Sequence, residues 1–498
     1  MVVKICKEHQ MRPRNLVILM ADEHAGKYTG FAGHPIVKTP NLDRLAASGT
    51  VFKNAYCNSP ICMPSRAAFA TGRYPHDTGY VCNATPYDGT VLGWPHHLTN
   101  AGIPVTSIGK LHYRDAGVSS GFSESIVPMH AVNATGDLFG ALRQTQPLPV
   151  RHGVRLVAEQ VGRGESTYTT YDRTILSETL DWLTNTAPAL SEPWVLFVSF
   201  VCPHFPLIAP DQFYDMYDKE MIPLPKACRP EDWPDHPWFE AFRASYITDT
   251  FFDDDLRREA TAAYFGLCSF VDSLIGQVVE AVGQSSFGNN TNLLYTSDHG
   301  DNLGVRGLWQ KSNFYQESAH VPMILTGPDV AAGETRNTPV SLVDIYPTVL
   351  DSVGLGDGTS PVNEDAESLF RLADAPDDDT RVVFGEYHGA GAVNGVFMLR
   401  QGPWKYVHFA NMPEQLFNLD DDQEEMHNLA TASAQAGRIE GFRKMLLARL
   451  DPVAVDADIK ARQLELVNRH GGRERILTKG SMGASPPPGT KQEALRTE

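Results

Sequence analysis

NLVILMAD, residues 15–22, begins the pattern that decides the fold. The run NLVILMA is almost continuously apolar, which is typical of a strand buried on both faces of a sheet. Similar short apolar runs lie at residues 104–108, 194–201, 293–296 and 322–325. Segments with helical spacing lie among them, at residues 41–48, 65–70, 171–183 and 260–282. Short apolar strands that alternate with helices predict an α/β fold with a doubly wound, mostly parallel sheet.

A smaller region follows an acidic, irregular stretch at residues 357–379. Beyond it, short alternating runs predict a small antiparallel sheet, and residues 428–450 return to helical spacing. We therefore predict a catalytic α/β domain over residues 1–375 and an α+β subdomain over residues 376–498. The tail from residue 480 is rich in proline and polar side chains, so we expect it to be mobile or to lie along a neighbouring subunit.

Composition and charge argue against several classes of protein. The 498 residues include 42 basic and 60 acidic side chains, a net charge of −18, which argues against a general nucleic-acid binder. No apolar run approaches the roughly 20 residues of a membrane-spanning helix, so we predict no membrane span. The N-terminus lacks the apolar segment of a secretory signal, and the seven cysteines form no disulfide or zinc pattern. These features predict a cytoplasmic protein.

Polar side chains stand just beyond the predicted strands, where ligands bind in sheets of this kind. They are Asp22, Glu23, Lys110, His112, His204, Asp298 and His299, with Lys311 twelve residues further on. Asp22, Asp298 and His299 offer oxygen and nitrogen ligands that suit Ca²⁺ or Mn²⁺. The lysines and the other histidines could surround a tetrahedral anion. A metal ion and cationic side chains together neutralise the charge that develops in displacement at sulfur or phosphorus.

The segment CMPSR, residues 62–66, followed by AAFATGRYP, resembles the C-x-P-S/A-R motif of type I sulfatases in the alkaline phosphatase superfamily. Further stretches resemble this family in the same order: GKLH at 109–112, PHFP at 203–206, SDHGDNLG at 297–304, GEYHGAG at 385–391 and QLFNLDDDQEEMHNLA at 415–430. The resemblance covers most of the chain. It implies an alkaline phosphatase-like fold with a smaller C-terminal α+β subdomain.

The resemblance also implies that Cys62 is oxidised to formylglycine by a dedicated maturation enzyme. The modified residue would stand at a helix N-terminus, where the helix dipole favours anions. One hydroxyl of its hydrate would attack sulfur, and the other would later release sulfate and regenerate the aldehyde. A lone cysteine is more often buried and inert, and the remaining cysteines keep that interpretation.

Family roles carry over onto matching positions. Modified Cys62 would ligate the metal with Asp22, Asp298 and His299, and we expect Ca²⁺ ahead of Mn²⁺. Arg66 would hold the formylglycine and the metal carboxylates.

The remaining matches concern the sulfate group. Lys110, His204 and Lys311 would bind it, and either His204 or Lys311 would protonate the leaving oxygen. His112 would act as the base that collapses the sulfated hemiacetal.

The chain also departs from the family pattern. Glu23 stands where many sulfatases have a second aspartate, and it would either ligate the metal or line the site. His299 replaces a common asparagine, and the Asp-His pair, with Asn83, resembles the choline sulfatase and phosphonate monoester hydrolase branch. The Lys-x-His motif at residues 110–112 and the segment around Glu386 resemble the choline sulfatase side of that branch, so Asn83 and Glu386 are candidates for substrate binding. No aromatic cage for a quaternary ammonium group is evident in the sequence, so we do not predict choline sulfate as the substrate.

We predict hydrolysis of a small organic sulfate monoester, and the leaving group (aryl, alkyl, sugar or choline-like) stays open. The alternatives are a phosphonate monoester hydrolase or phosphodiesterase with the same nucleophile, a phosphatase or mutase with an unmodified serine or threonine, and an inactive ligand-binding homologue. We also expect a homo-oligomer, either a dimer or a tetramer.

Overall fold

The computed structural model describes residues 12–356, 362–481 and 484–490. The first eleven residues of the predicted leaderless N-terminus lie outside the described residues, as do positions 357–361 of the acidic stretch and 491–498 of the tail.

The strands of the described chain form one large sheet and three small ones. In chain order they are β1 (Asn15–Asp22), β2 (Thr50–Phe52), β3 (Ala55–Tyr56), β4 (Val105–Lys110), β5 (Glu124–Met129), β6 (Val161–Arg163), β7 (Val195–Pro203), β8 (Leu207–Ala209), β9 (Thr291–Ser297), β10 (Met323–Thr326), β11 (Glu334–Arg336), β12 (Val340–Ser341), β13 (Val382–Tyr387), β14 (Val396–Gln401), β15 (Trp404–Phe409) and β16 (Gln415–Asn418).

The α-helices of the described chain vary from single turns to one long core helix. They are α1 (Pro40–Ala47), α2 (Cys62–Thr71), α3 (Pro75–Thr78), α4 (Trp94–Asn100), α5 (Arg155–Glu159), α6 (Thr167–Asp181), α7 (Asp211–Tyr214), α8 (Pro237–Ser245), α9 (Asp254–Gln284), α10 (Gln316–Ala319), α11 (Ile345–Ser352), α12 (Leu369–Asp374), α13 (Ala436–Arg449), α14 (Pro452–Arg469) and α15 (Gly472–Lys479).

The large sheet has eight strands in the order β11-β2-β10-β9-β1-β7-β4-β5. Strands β9, β1, β7, β4 and β5 are parallel, and β10 runs antiparallel to both of its neighbours. Helices α1, α6 and α9 pack on one face, and α2, α4 and α11 lie on the other. The predicted doubly wound, mostly parallel α/β sheet is therefore confirmed.

The burial of β1 explains why its sequence is almost continuously apolar. Along β1, Val17 and Leu19 point into the core under α9, whereas Leu16, Ile18 and Met20 point into the opposite core. All eight residues of β1 are buried. A strand covered by helices on both faces has no solvent side, so it needs no polar alternation.

Strands β13 to β16 form the predicted small antiparallel sheet near the C-terminus. The neighbouring acidic segment ties it to the large domain, because the Glu425 carboxylate pairs with the Lys405 ammonium group and Glu424 lies 2.8 Å from Lys27. The division of the chain at residue 375 stays a prediction.

Helix α9 is, within the described ranges, the one helix long and apolar enough to cross a membrane by length and composition. About 67% of its most apolar window is buried inside the protein, which is the pattern of a core helix. It packs against α6, β7 and β8.

Candidate active site

The central parallel strands deliver the predicted polar residues to one edge of the sheet. Asp22 ends β1, Lys110 ends β4, His204 follows β7, and Asp298 follows β9. These four strands are adjacent and parallel, so their carboxyl ends meet at the same edge. That is where ligands bind in open α/β sheets.

Helix α2 brings the cysteine to this edge. The helix begins at Cys62 and ends at Gly72, whose φ of 66° is the left-handed conformation that glycine accepts readily. The spacing of the sequence predicts a helix start near Ser65, three residues later than the observed one. Pro64 is tolerated in the first turn, because the amide proton that proline lacks would have no hydrogen-bond partner within the helix at that position. Asn83 Oδ1 accepts a hydrogen bond from the Met63 amide at 3.1 Å, so the predicted Asn83 anchors this first turn.

Four buried side chains converge at the start of this helix. Cys62 Sγ lies 3.1 Å from His299 Nε2 and 3.8 Å from Asp22 Oδ1. His299 Nε2 lies 3.7 Å from the nearest oxygen of Asp22 and of Asp298. One donor atom from each of the four residues lies within 4.8 Å of the others. The structure therefore brings all four predicted metal ligands together.

The ligand atoms are oriented as a divalent cation requires. His299 Nδ1 lies 3.0 Å from the Gly300 carbonyl oxygen, to which it donates, so the lone pair of Nε2 faces Cys62 Sγ at 3.1 Å and the two carboxylates at 3.7 Å. Two carboxylates and one imidazole suit Ca²⁺ or Mn²⁺. The residues present thus fit a divalent metal.

The Arg66 guanidinium group bridges the carboxylates of Asp22 and Asp298. Its Nε donates to Asp298 Oδ2 at 2.7 Å, and Nη2 donates to Asp22 Oδ2 at 3.2 Å. Nη1 donates to the Lys110 carbonyl at 2.7 Å and to Ser199 Oγ at 2.9 Å. A buried guanidinium with these bonds fixes the positions of both carboxylates. Arg66 thus contacts both carboxylates of the candidate metal site.

The charges of this cluster decide its protonation states. Burial alone would raise the pKa of Asp22, but Lys110, His204 and Arg66 hold that pKa well below its ordinary value. Burial and the Asp22 carboxylate raise the pKa of Cys62 to about 11. An unmodified Cys62 is consequently a protonated thiol near neutral pH, which is a weak nucleophile.

Lys311, Glu23 and His204 form a hydrogen-bonded group beside the four candidate metal ligands. Lys311 Nζ donates to Glu23 Oε2 at 2.7 Å and to His204 Nε2 at 2.9 Å. His204 Nδ1 in turn donates to the Phe205 carbonyl at 2.7 Å. Burial and the Lys311 charge keep the pKa of His204 well below its ordinary value, so the imidazole is neutral. Asp22, Glu23 and His204 form a second set of side chains that could ligate a metal ion. The hydrogen bond from Lys311 to Glu23 instead favours a role for Glu23 in positioning that lysine.

The tail of the chain lies against His112. Ser485 Oγ is 2.8 Å from His112 Nε2, and the Ser485 carbonyl accepts a hydrogen bond from Tyr168 at 2.6 Å. Ser481 and Ala484 also line the cavity. The described part of the tail thus packs on the site of its own chain, which corrects the expectation of a mobile or neighbour-bound segment. No motif in the sequence around Ser485 indicates this contact.

We expect Ser485→Ala to lower kcat by about 3- to 10-fold, because it removes a hydrogen bond worth about 1 kcal/mol that orients His112. The measurement is the pH profile of kcat, whose acidic limb reports on protonation of His112 only if that residue acts as a base in turnover. Thr490→Ala, in the same tail and bonded only to Pro487 in the described chain, is the matched control. Equal profiles for both variants would contradict a positioning role.

Glu386 does not line the cavity formed by these residues. Its carboxylate accepts from His76 Nδ1 at 2.7 Å and contacts His388 Nε2 at 2.9 Å. Burial alone would raise the pKa of Glu386, but the hydrogen bonds from His388 and His76 lower it to about 2. These contacts anchor β13 to the segment after α2, and none of them supports the predicted role in substrate binding.

Glu386→Gln should therefore destabilise the fold and leave the KM for an aryl sulfate unchanged. We expect a loss of about 2–3 kcal/mol at pH 7, as for charged hydrogen bonds in the interior. Because the folded pKa is depressed, this stabilisation is present above the ordinary value near 4.5 and disappears as pH falls towards 2. Urea unfolding across that range checks the loss, and a raised KM with unchanged stability would restore the substrate-binding prediction.

One cavity contains these residues, and its walls are formed by a different set of side chains from those at its floor. Cys62, Lys110, His112, His204 and Lys311 form the floor. The walls come from segments far apart in sequence, and include Asn83, Asp137, Arg151, Tyr168, Phe205 and Tyr246. No motif marks Asp137 or Arg151 in the sequence, because only tertiary folding brings these segments to the strand ends.

Comparisons with known proteins agree with this geometry. The family described as Sulfatase matches residues 14–355, and the family described as N-sulphoglucosamine sulphohydrolase, C-terminal, matches residues 304–451. The choline-sulfatase of Rhizobium meliloti (strain 1021) is 31% identical over 467 residues, covering 90% of this chain and 89% of that protein. Arylsulfatase K of Danio rerio is 30% identical over 490 residues, covering 95% of this chain and 88% of that protein.

Among solved structures, the phosphonate monoester hydrolase of Agrobacterium radiobacter superposes with a TM-score of 0.69. It shares 22% sequence identity, and the match covers 91% of this chain and 96% of that one. At this identity the likeness concerns the fold, and it confirms the predicted alkaline phosphatase-like architecture.

Proposed function

The chain belongs to the sulfatase family and is a sulfuric ester hydrolase, and we propose that it cleaves a small organic sulfate monoester with formylglycine formed at Cys62. One observation carries the proposal: residue 62 begins a helix and lies within 3.8 Å of two of the buried metal-type donors, Asp22 and His299. The alcohol and inorganic sulfate are the products, and one water molecule is consumed.

Two groups would complete the site. Oxidation of Cys62 would supply an aldehyde, whose hydrate carries two hydroxyl groups, one to attack sulfur and one to release sulfate afterwards. A divalent metal, with Ca²⁺ expected ahead of Mn²⁺, would be held by Asp22, Asp298, His299 and residue 62, and it would supply Lewis-acid stabilisation of charge at the sulfate oxygens.

The chain's own residues would bind and orient the ester. Lys110 and Lys311 place two ammonium groups at the cavity floor, and the α2 N-terminus adds its dipole. These cations match the negative charge of a sulfate group and would stabilise the charge that develops on it.

Proton transfer follows from the protonation states. Burial alone would lower the pKa of Lys311, whereas a Cys62 thiolate, Glu23 and Asp22 would each raise it. Because Cys62 is itself protonated near neutral pH, the carboxylates of Glu23 and Asp22 are the groups that favour a protonated Lys311 there. We therefore assign protonation of the leaving oxygen to Lys311, with neutral His204 orienting its ammonium group at 2.9 Å. Burial and Lys110 lower the pKa of His112 well below its ordinary value, which leaves that imidazole free to accept a proton.

The Asp298-His299 pair and the fold shared with a phosphonate monoester hydrolase favour that enzyme class as the second candidate. Matched 4-nitrophenyl esters distinguish the two. We expect kcat/KM for 4-nitrophenyl sulfate to exceed that for 4-nitrophenyl phenylphosphonate and bis(4-nitrophenyl) phosphate. The reverse order, in protein with confirmed formylglycine, would assign the chain to the second class.

We also propose a protein partner, a compartment and an assembly state for this enzyme. A formylglycine-generating maturase would be the protein partner, and the enzyme would work in the cytoplasm as a homo-oligomer, either a dimer or a tetramer. The net charge of −18 supports the absence of nucleic acid from its partners. Light scattering of the purified protein and fractionation of cells that express it would test the assembly and the compartment.

A further inference from the structure

One wall of the cavity carries a buried ion pair that the proposed chemistry does not use. Arg151 Nη2 lies 2.6 Å from Asp137 Oδ2, and both residues line the cavity. The guanidinium carbon of Arg151 is 5.0 Å from the ring centroid of Phe139 and 5.0 Å from that of Tyr246. Arg151 is only 6% exposed, so the two aromatic rings and the Asp137 carboxylate fix its position.

This pair has hydrogen-bonding capacity left over. Asp137 Oδ1 and Arg151 Nε and Nη1 are buried and have no hydrogen-bond partner in the described protein. Buried polar atoms are nearly always paired in folded proteins, and leaving one unpaired costs about 1–3 kcal/mol. An acceptor and two donors on one wall of a substrate cavity therefore point to a ligand that offers both kinds of group.

We propose that Asp137 and Arg151 form a leaving-group subsite for a hydroxyl-rich alcohol, which makes sugar sulfates the substrate class of this enzyme. The inference rests on the proposed sulfatase function. A hydroxyl group both donates and accepts, so adjacent sugar hydroxyls can satisfy the Asp137 carboxylate and the Arg151 guanidinium together. Asn83 and Gln310 extend the same polar lining.

The same wall disfavours a quaternary ammonium group. A cage for such a cation needs free aromatic faces. In this cavity Arg151 already lies over Tyr246 at 5.0 Å, and Lys311 lies over Phe205 at 5.8 Å. A cationic leaving group would also meet the ammonium groups of Lys110 and Lys311. A plain aryl group would fit the aromatic side chains but would leave the Asp137–Arg151 pair unsatisfied.

A panel of substrates tests the inference on the wild-type enzyme. We expect kcat/KM for at least one monosaccharide monosulfate to exceed that for choline sulfate by about 10-fold or more, because a site built for hydroxyl groups rejects ligands that lack them. Hydrolysis converts each ester and one water into the alcohol and inorganic sulfate, and released sulfate is the common readout. Choline sulfate as the best substrate would overturn the inference.

Variants then test the two residues. For Arg151→Gln and Asp137→Asn we expect the ratio of kcat/KM for the sugar sulfate to that for 4-nitrophenyl sulfate to fall by about 10- to 100-fold. The matched control is Arg257→Gln, since Arg257 is an equally buried arginine that pairs with Asp249 at 2.9 Å and does not line the cavity. An unchanged ratio in both cavity variants would overturn the inference.

Failure of the inference is separable from failure of the proposed function. Turnover of 4-nitrophenyl sulfate without any sugar preference would leave a sulfatase that lacks this subsite. No turnover of any sulfate ester, in protein with confirmed formylglycine, would instead remove the proposed function. If Arg151→Gln does not fold, the Asp137→Asn variant and the wild-type panel still decide the question.

Discussion

Replacement of Cys62 by serine is expected to reduce kcat by at least about 10³-fold, which is the scale of losing a catalytic nucleophile. Serine preserves the size of the side chain and the start of α2, so the variant should fold normally. It cannot be oxidised to an aldehyde by a maturase that acts on cysteine. A serine alcohol also lacks the second hydroxyl of an aldehyde hydrate. The steady-state rate with 4-nitrophenyl sulfate measures the loss.

Cys57 supplies the matched control for this experiment. It lies five residues upstream, is completely buried and does not line the cavity. Trypsin should release residues 54–66 as one peptide that contains both cysteines, so a single mass spectrum reports on both. We expect an aldehyde at residue 62 and a thiol at Cys57, with Cys57→Ser retaining turnover. Wild-type rates in Cys62→Ser would disprove the assigned nucleophile.

The catalytic floor could be predicted from sequence because it obeys a local rule. Asp22, Lys110, His204 and Asp298 each follow an apolar run, and parallel strands necessarily bring those positions to one edge. Their identities as oxygen, nitrogen and ammonium groups then limit the chemistry to a metal and an anion. The motif at residues 62–66 supplied the remaining member of the site.

The cavity wall could not be predicted in this way. Asp137, Arg151 and Ser485 lie outside regular strands, and only the fold brings them to one cavity. The bond between His112 and Ser485, for example, joins residues 373 positions apart. Glu386 shows the opposite error, because a family-like stretch suggested substrate contact where the fold provides two histidine partners instead. The spacing of apolar residues indicates which positions of a strand or helix are buried, but it does not indicate which distant loop covers a site.

Asp298→Asn is expected to remove the metal and the activity together. Asparagine keeps the shape of the side chain and the bond from Arg66 at 2.7 Å, but it removes one of two negative charges that a divalent cation needs. We expect kcat to fall by about 10²–10⁴-fold, as when a metal no longer stabilises the transferring group. The change should also destabilise the fold, because Arg66 would be left in the interior with Asp22 as its one remaining carboxylate partner among the described residues.

Elemental analysis of the purified variant separates these effects. We expect about one Ca²⁺ or Mn²⁺ per wild-type chain and a background level in Asp298→Asn. The control is Asp272→Asn, because Asp272 is equally buried but accepts hydrogen bonds from the backbone of Asn41 and Leu42 at the start of α1, away from the cavity. That variant should keep its metal even if it loses stability. A full complement of metal in Asp298→Asn would show that the ion, if present, is held elsewhere, and the role of the strand-end carboxylates would have to be reassigned to positioning Arg66 alone.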